Sequence, residues 1–182
     1  MGVTTNLFAN NSARFEKTDN ISNYFSGVLY LKDNNYLDSY KYLKKLDGLE
    51  NLHLNYLNSY HSSLVSLNRI DEAIAYSKKL SKKNINNFYS NLILGISHLK
   101  KNEIDKASNY FFSLKSLKSE GNVENLIASL LSFWLNVEQS NDLDKSILLT
   151  KNLPSQYENI KNIQEAFIHC YYNSSNTSYC PH

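Results

Sequence analysis

The chain has 182 residues, with 19 Lys and Arg against 17 Asp and Glu, and is 42% hydrophobic and 13% aromatic. That is enough apolar material for a compact core, and a net charge of +2 is too small to mark a nucleic-acid surface by itself. Only 5 Gly and 2 Pro occur, too few turn formers for a sandwich or barrel of many short strands. Residues 1–20 are polar and read as a loose N-terminal segment. Apolar periodicity then predicts helices at 21–32, 36–47, 51–67, 70–82, 86–100, 104–118, 122–139, 143–152 and 156–173. Residues 174–182 read as a disordered tail. No apolar run approaches the roughly 18 residues of a membrane span. The start of the chain lacks the basic and then apolar pattern of a secretory leader, so the default expectation is a cytoplasmic location.

Three stretches align without gaps at a spacing of 34: Ser22–Leu46, Tyr56–Leu80 and Ser90–Leu114. Gly27, His61 and Gly95 share one column, and Tyr30, Leu64 and His98 the next. Asn34, Asn68 and Asn102 fall in the turn, where Asn tolerates left-handed backbone angles. Tyr36, Ile70 and Ile104 open the second helix, Ser39, Ala73 and Ala107 follow as small residues, and Leu46, Leu80 and Leu114 close it. A fourth unit aligns after a five-residue insertion around Ser116–Val123, with Trp134, Val137, Asn141, Leu143, Ser146 and Leu153 in these columns. Pro154 then stops its last helix.

These residues resemble the tetratricopeptide repeat (TPR) family. The clearest match is Asn68-Arg69-Ile70-Asp71-Glu72-Ala73 through Leu80, followed by Leu94, Gly95, Ile104, Ala107, Phe111 and Leu114. The resemblance implies an all-α fold, a TPR-like α-solenoid of about four antiparallel helix pairs plus a C-terminal closing helix. Its helical repeat domain would span 21–173, with units at about 21–50, 51–84, 86–119 and 122–153 and a half unit at 156–173. Each pair is too small to bury its apolar stripe alone and must stack on a neighbour. The family's bulky first-helix position holds Asn23, Leu57, Asn91 and Leu130 here. His61 and Trp134 replace a small residue, so those pairs are expected to splay or shift. The residue usage, with 26 Asn and 17 Lys against 2 Arg, fits an AT-rich genome, and the likeness is to bacterial members of the family.

The lysines collect at helix ends: Lys44 and Lys45, Lys78 and Lys79, Lys115, Lys151. The acids Asp38, Asp71, Glu72, Asp105, Asp142 and Asp144 collect at helix starts. That arrangement complements the helix dipoles and is favoured over a phosphate-binding ridge, so nucleic acid is the disfavoured partner. His61 and His98 sit in inner columns and read as packed residues rather than ligands. His169, Cys170, Cys180 and His182 lack the spacing of a zinc finger, and Cys170 reads as a small packed hydrophobe. Phosphate loop, nucleophile elbow and paired catalytic carboxylates are all missing from the sequence. Neither enzyme activity nor a metal or cofactor is expected.

In the TPR family the first helices of successive units line a concave groove that receives a partner. That resemblance places Tyr24, Val28 and Lys32 in the groove from the first unit, and Asn55, Asn58 and Ser62 from the second. Tyr89, Leu92, Ile96 and Lys100 follow from the third, and Leu131 and Leu135 from the fourth. The mixture of tyrosine and aliphatic anchors, amides and rim lysines suits an extended or helical peptide of a protein partner. The alternative is burial of part of this apolar set, Leu131 and Leu135 above all, by the next helix or by self-association in a structural array. The cationic columns of carboxylate-gripping TPR domains hold no Arg here, so such a clamp is not expected.

Overall fold

The computed structural model describes residues 6–50, 54–117 and 122–172. Among these the protein is all-helical and has no strand. The helices are α1 (Asn6–Lys32), α2 (Tyr36–Lys44), α3 (Leu54–Ser66), α4 (Ile70–Lys82), α5 (Phe88–Leu99), α6 (Ile104–Ser116), α7 (Asn122–Ser140), α8 (Leu143–Leu149) and α9 (Glu158–Tyr172). Short 3-10 turns at Thr150–Asn152 and Ser155–Tyr157 flank Pro154. No helix among the described residues is long and apolar enough to cross a membrane. The expected disordered tail and the middle of the 116–123 insertion lie outside the described residues.

The helix α1 departs from the sequence reading. It continues back to Asn6, across a stretch expected to be loose. Residues 6–20 contain neither Gly nor Pro to end a helix, and they lack an amphipathic period that would announce one.

The turns repeat as closely as the letters do. Asn34, Asn68 and Asn102 have φ of 58°, 56° and 59°, and Asn141 follows with 45°. Only Gly and, at some cost, Asn or Asp adopt this left-handed region readily. Each of the first three closes its helix with the same bond. Asn35 N–H donates to Tyr30 O at 2.8 Å, Arg69 N–H to Leu64 O at 2.9 Å, and Glu103 N–H to His98 O at 3.0 Å. This is the Schellman closure, in which the residue after the left-handed one reaches back to satisfy an orphan carbonyl. The Asn35 side chain then accepts from Asp38 N–H and caps α2, and the Asp142 side chain accepts from Lys145 N–H and caps α8.

The chain forms two compact units, Met1–Ser97 and His98–His182. In the first, α1 packs on α2 and α3, α2 on α3, and α3 on α4. Its core joins Leu43, Leu57, Leu64 and Leu80 with Tyr40, Tyr56, Tyr60 and Tyr76. In the second, α6 packs on α7, α7 on α8, and α8 on α9, with Phe133, Val137, Leu153 and Ile168 at the centre. Asp142 N–H donates to Tyr172 Oη at 3.0 Å, which fixes the end of α9 to the turn between α7 and α8.

Residue sizes in the first unit are matched across each helix pair. A β-carbon on Gly27 would stand 2.6 Å from Leu43 Cγ, and Leu43 is fully buried. One repeat on, His61 is the large member and Ser77 the small one, with His61 Nε2 3.0 Å from Ser77 Oγ. Large faces small in both pairs, with the order reversed. Gly27→Ala is therefore expected to lower stability by about 1–2 kcal/mol, because overpacking against Leu43 outweighs the gain in helix propensity. Urea midpoints of the two proteins check this, and an unchanged or raised midpoint would show that Leu43 yields freely.

Candidate interaction surface

In the first unit α1 lies against α3, and Asn87 ties the start of α5 to α3 by donating from Nδ2 to Asn58 Oδ1 at 2.6 Å. The other end of the same amide accepts from Ser90 N–H at 3.2 Å and caps α5. Ser90 Oγ also lies 3.4 Å from His61 Nε2. The helix α3 thus touches both α1 and the start of α5.

Nine of the groove candidates belong to this unit. Lys32, Asn55 and Ile96 are exposed, while Val28, Ser62, Tyr89 and Leu92 are half-buried. Tyr24 is half-buried against the core cluster, so it is partly structural. Asn58 is engaged by Asn87 and is not a free amide. Val65 adds exposed apolar surface on α3. The remaining three candidates lie in the second unit. Lys100 is exposed and Leu131 half-buried, but Leu135 is only 5% exposed and belongs to the interior.

Two apolar rows stand exposed, of which the sequence shows the second, on the last helix, at helical spacing as a face for packing on the preceding helix. On α1, Ile21, Phe25 and Leu29 follow one another at every fourth residue and are all more than half exposed. On α9, Ile163, Phe167 and Tyr171 have the same spacing and are between two fifths and one half exposed. Their spacing was legible, but periodicity marks an apolar face without saying whether a neighbour covers it.

The back of the first unit is polar and closed by ion pairs. Glu72 accepts from Tyr40 Oη at 2.8 Å and pairs with Arg69 at 2.8 Å, while the Arg69 guanidinium lies 4.3 Å from the Tyr40 ring centre. Glu50 is 1% exposed and accepts from Lys79 at 3.0 Å, Lys83 at 3.1 Å and Gly48 N–H at 3.2 Å. Burial pushes this carboxyl up, but the bonds from Lys79, the backbone and Lys83 outweigh it and hold it at about 2. Lys79 also pairs with Asp47. Lys79 and Lys83 are therefore spent on acids within the unit rather than displayed as a ridge. A shallow hollow of about 540 Å³ runs along α2, lined by Asp38, Tyr40, Lys41, Tyr42, Lys44 and Lys45. All six lie on one helix and its end, so the hollow encloses no substrate.

In the second unit, His98 and Lys106 bond Glu103 and hold its carboxyl at about 2. Among the described residues no three His, Cys, Asp or Glu side chains converge as a metal site. Cys170 is disulfide-bonded rather than a free packed thiol, and Cys180 and His182 lie outside the described residues.

Comparison of the chain with protein-family models, with curated proteins and with solved structures returns no match.

Proposed function

We propose that this protein is a non-enzymatic, TPR-like interaction scaffold that receives a segment of a partner protein across α1, α3 and α5 of its first unit. One observation carries this reading: the left-handed Asn turn and its closing hydrogen bond recur at a spacing of 34, at Asn34, Asn68 and Asn102, while Asn84 makes the same closure after α4. The side-by-side first helices supply a ligand surface of exposed apolar anchors beside amides, with no acid–base constellation among them. Lysines engaged in ion pairs weigh against the nucleic-acid reading.

A photo-crosslinking residue placed at Val65 or Ile96 tests the proposal, with Lys78 on α4 as control. Crosslinks to one partner from Val65 and Ile96 but not from Lys78 are expected, and Ile96→Glu should abolish them. Equal crosslinking from all three positions would remove the groove.

The second reading, a self-associating array, draws on the exposed row Ile21, Phe25 and Leu29. Sedimentation decides it, since a monomer at high concentration leaves that row without a second copy.

A further inference from the structure

In the second unit the acids outnumber the lysines on two helices, α7 and α9. α7 and α9 carry Glu124, Glu138, Glu158 and Glu165 against a single lysine, Lys161. That lysine is 16% exposed at its side chain and lies 3.1 Å from Glu158, so it adds no positive surface. The helices α6 and α8 carry Lys106, Lys115 and Lys145 beside Asp105 and Asp144, so α7 and α9 are the more negative helices.

α7 and α9 are neighbours. Trp134 Nε1 donates to Gln164 Oε1 at 2.7 Å, and the Trp134 and Tyr171 rings meet edge to face with centres 6.1 Å apart. Tyr171 Oη donates to Glu138. Along α9, flanking buried Gln164 and Ile168, run Ile163 at 50%, Phe167 at 42% and Tyr171 at 49% exposure. A row at every fourth residue is the ridge that packs into the groove between side chains of another helix. Glu138 stands at the end of this ridge.

We propose that the α9 ridge docks a basic amphipathic helix of a partner protein, with Ile163, Phe167 and Tyr171 against its apolar stripe and Glu138 against a lysine or arginine beside it. The charge of α7 and α9 selects the cation. Residues 173–182, which follow α9, contain neither Lys nor Arg and do not supply it. This surface is independent of the α1–α3–α5 groove and shares no residue with it.

Trp134 is the only tryptophan in the chain and touches Tyr171, so its fluorescence reads occupancy directly. The probe is a synthetic helix without Trp or Tyr, with Leu at every fourth position and Lys flanking the row. A second probe replaces each Lys by Glu. The full chain should bind the basic helix with a saturable change in Trp134 emission. Phe167→Glu should weaken it at least tenfold while leaving the circular dichroism unchanged, since Phe167 is exposed. Glu138→Gln should weaken it about threefold, as befits one exposed charge pair, and added salt should do the same.

Binding of the acidic helix as tight as that of the basic one would overturn the proposal, and so would an unchanged affinity in Phe167→Glu. Self-association of the chain that Phe167→Glu abolishes would assign the ridge to a second copy and overturn it too. None of these results bears on crosslinking at Val65 or Ile96.

Discussion

Lowering the pH from 7 to 4 is expected to remove about 3 kcal/mol of stability from the first unit through one side chain, His61. Its ring is fully buried. Nδ1 lies 2.8 Å from Leu57 O, and a carbonyl only accepts, so Nδ1 carries the proton. Nε2 then accepts from Ser77 Oγ. The groups around it are Ser77 and the Tyr76 ring from α4 and Ser90 from α5, and no carboxylate faces it to support a positive ring. Burial lowers the imidazole from its usual 6.5 to about 4. Between those values the unfolded chain binds a proton that the folded chain refuses. Stability is therefore fully present above pH 6.5 and falls as the pH drops toward 4. Most of the loss comes above pH 4.5, before Glu50 titrates in the unfolded chain.

Urea midpoints at pH 7, 6, 5 and 4.5 measure this effect. Hydrogen exchange of α3 and α4 amides assigns it to the right unit. His61→Gln keeps a polar side chain without the titration. It should be less stable at pH 7 and nearly flat between pH 7 and 4.5. Parallel curves for wild type and variant would mean that the ring protonates without cost inside the fold.

The sequence made the turns legible because their chemistry is local. A left-handed backbone angle at the end of a helix accepts few residues, and Asn stands at 34, 68, 102 and 141 in the sites that need one. Asn84, which takes the same angle after α4, falls outside the repeat columns and is not read from them as a turn. Gly27 was legible for a similar reason, as the small residue at a close approach. The size reversal between His61 and Ser77 was not, because the partner lies on another helix and no local rule relates the two. The sequence marked His61 as an anomaly that should force the helices apart. The structure shows the compensation, a small partner and a hydrogen bond. The start of α1 escaped because propensity without an amphipathic period gives no signal. Leu135 escaped because the column that faces a groove in one unit is covered in another. Glu50 left no trace at all. Its burial depends on the path of a turn and on two lysines at the end of α4, and the sequence shows only an acid in a leucine-bearing connection between two helices.

Glu50 is also where the second large effect is expected. A carboxylate that is 1% exposed survives only with compensation, here from Lys79, Lys83 and the Gly48 amide. Removing both lysines strands the charge. Lys79→Ala with Lys83→Ala should cost about 3–5 kcal/mol, the range for a buried charge left unpaired. The lysines themselves are more than a third exposed, so losing their own contacts explains little of that figure. The discriminating variant adds Glu50→Gln to the double. If the cost comes from the stranded charge, a neutral isostere should restore about half of the lost stability, making the triple variant more stable than the double. The sign of the pH dependence should also reverse. In wild type, Glu50 is held at about 2, so its contribution is present above the unfolded value near 4.5 and lost as the pH falls toward 2. In the double variant burial acts unopposed by the lysines and raises the carboxyl. Acidification from pH 7 to 5 should then stabilise that variant relative to the triple one. Denaturant midpoints of the three proteins at pH 7 and pH 5 decide the matter. A double variant that loses less than about 1 kcal/mol, or that gains nothing from Glu50→Gln, would show that the lysines only decorate a carboxylate already satisfied by the backbone.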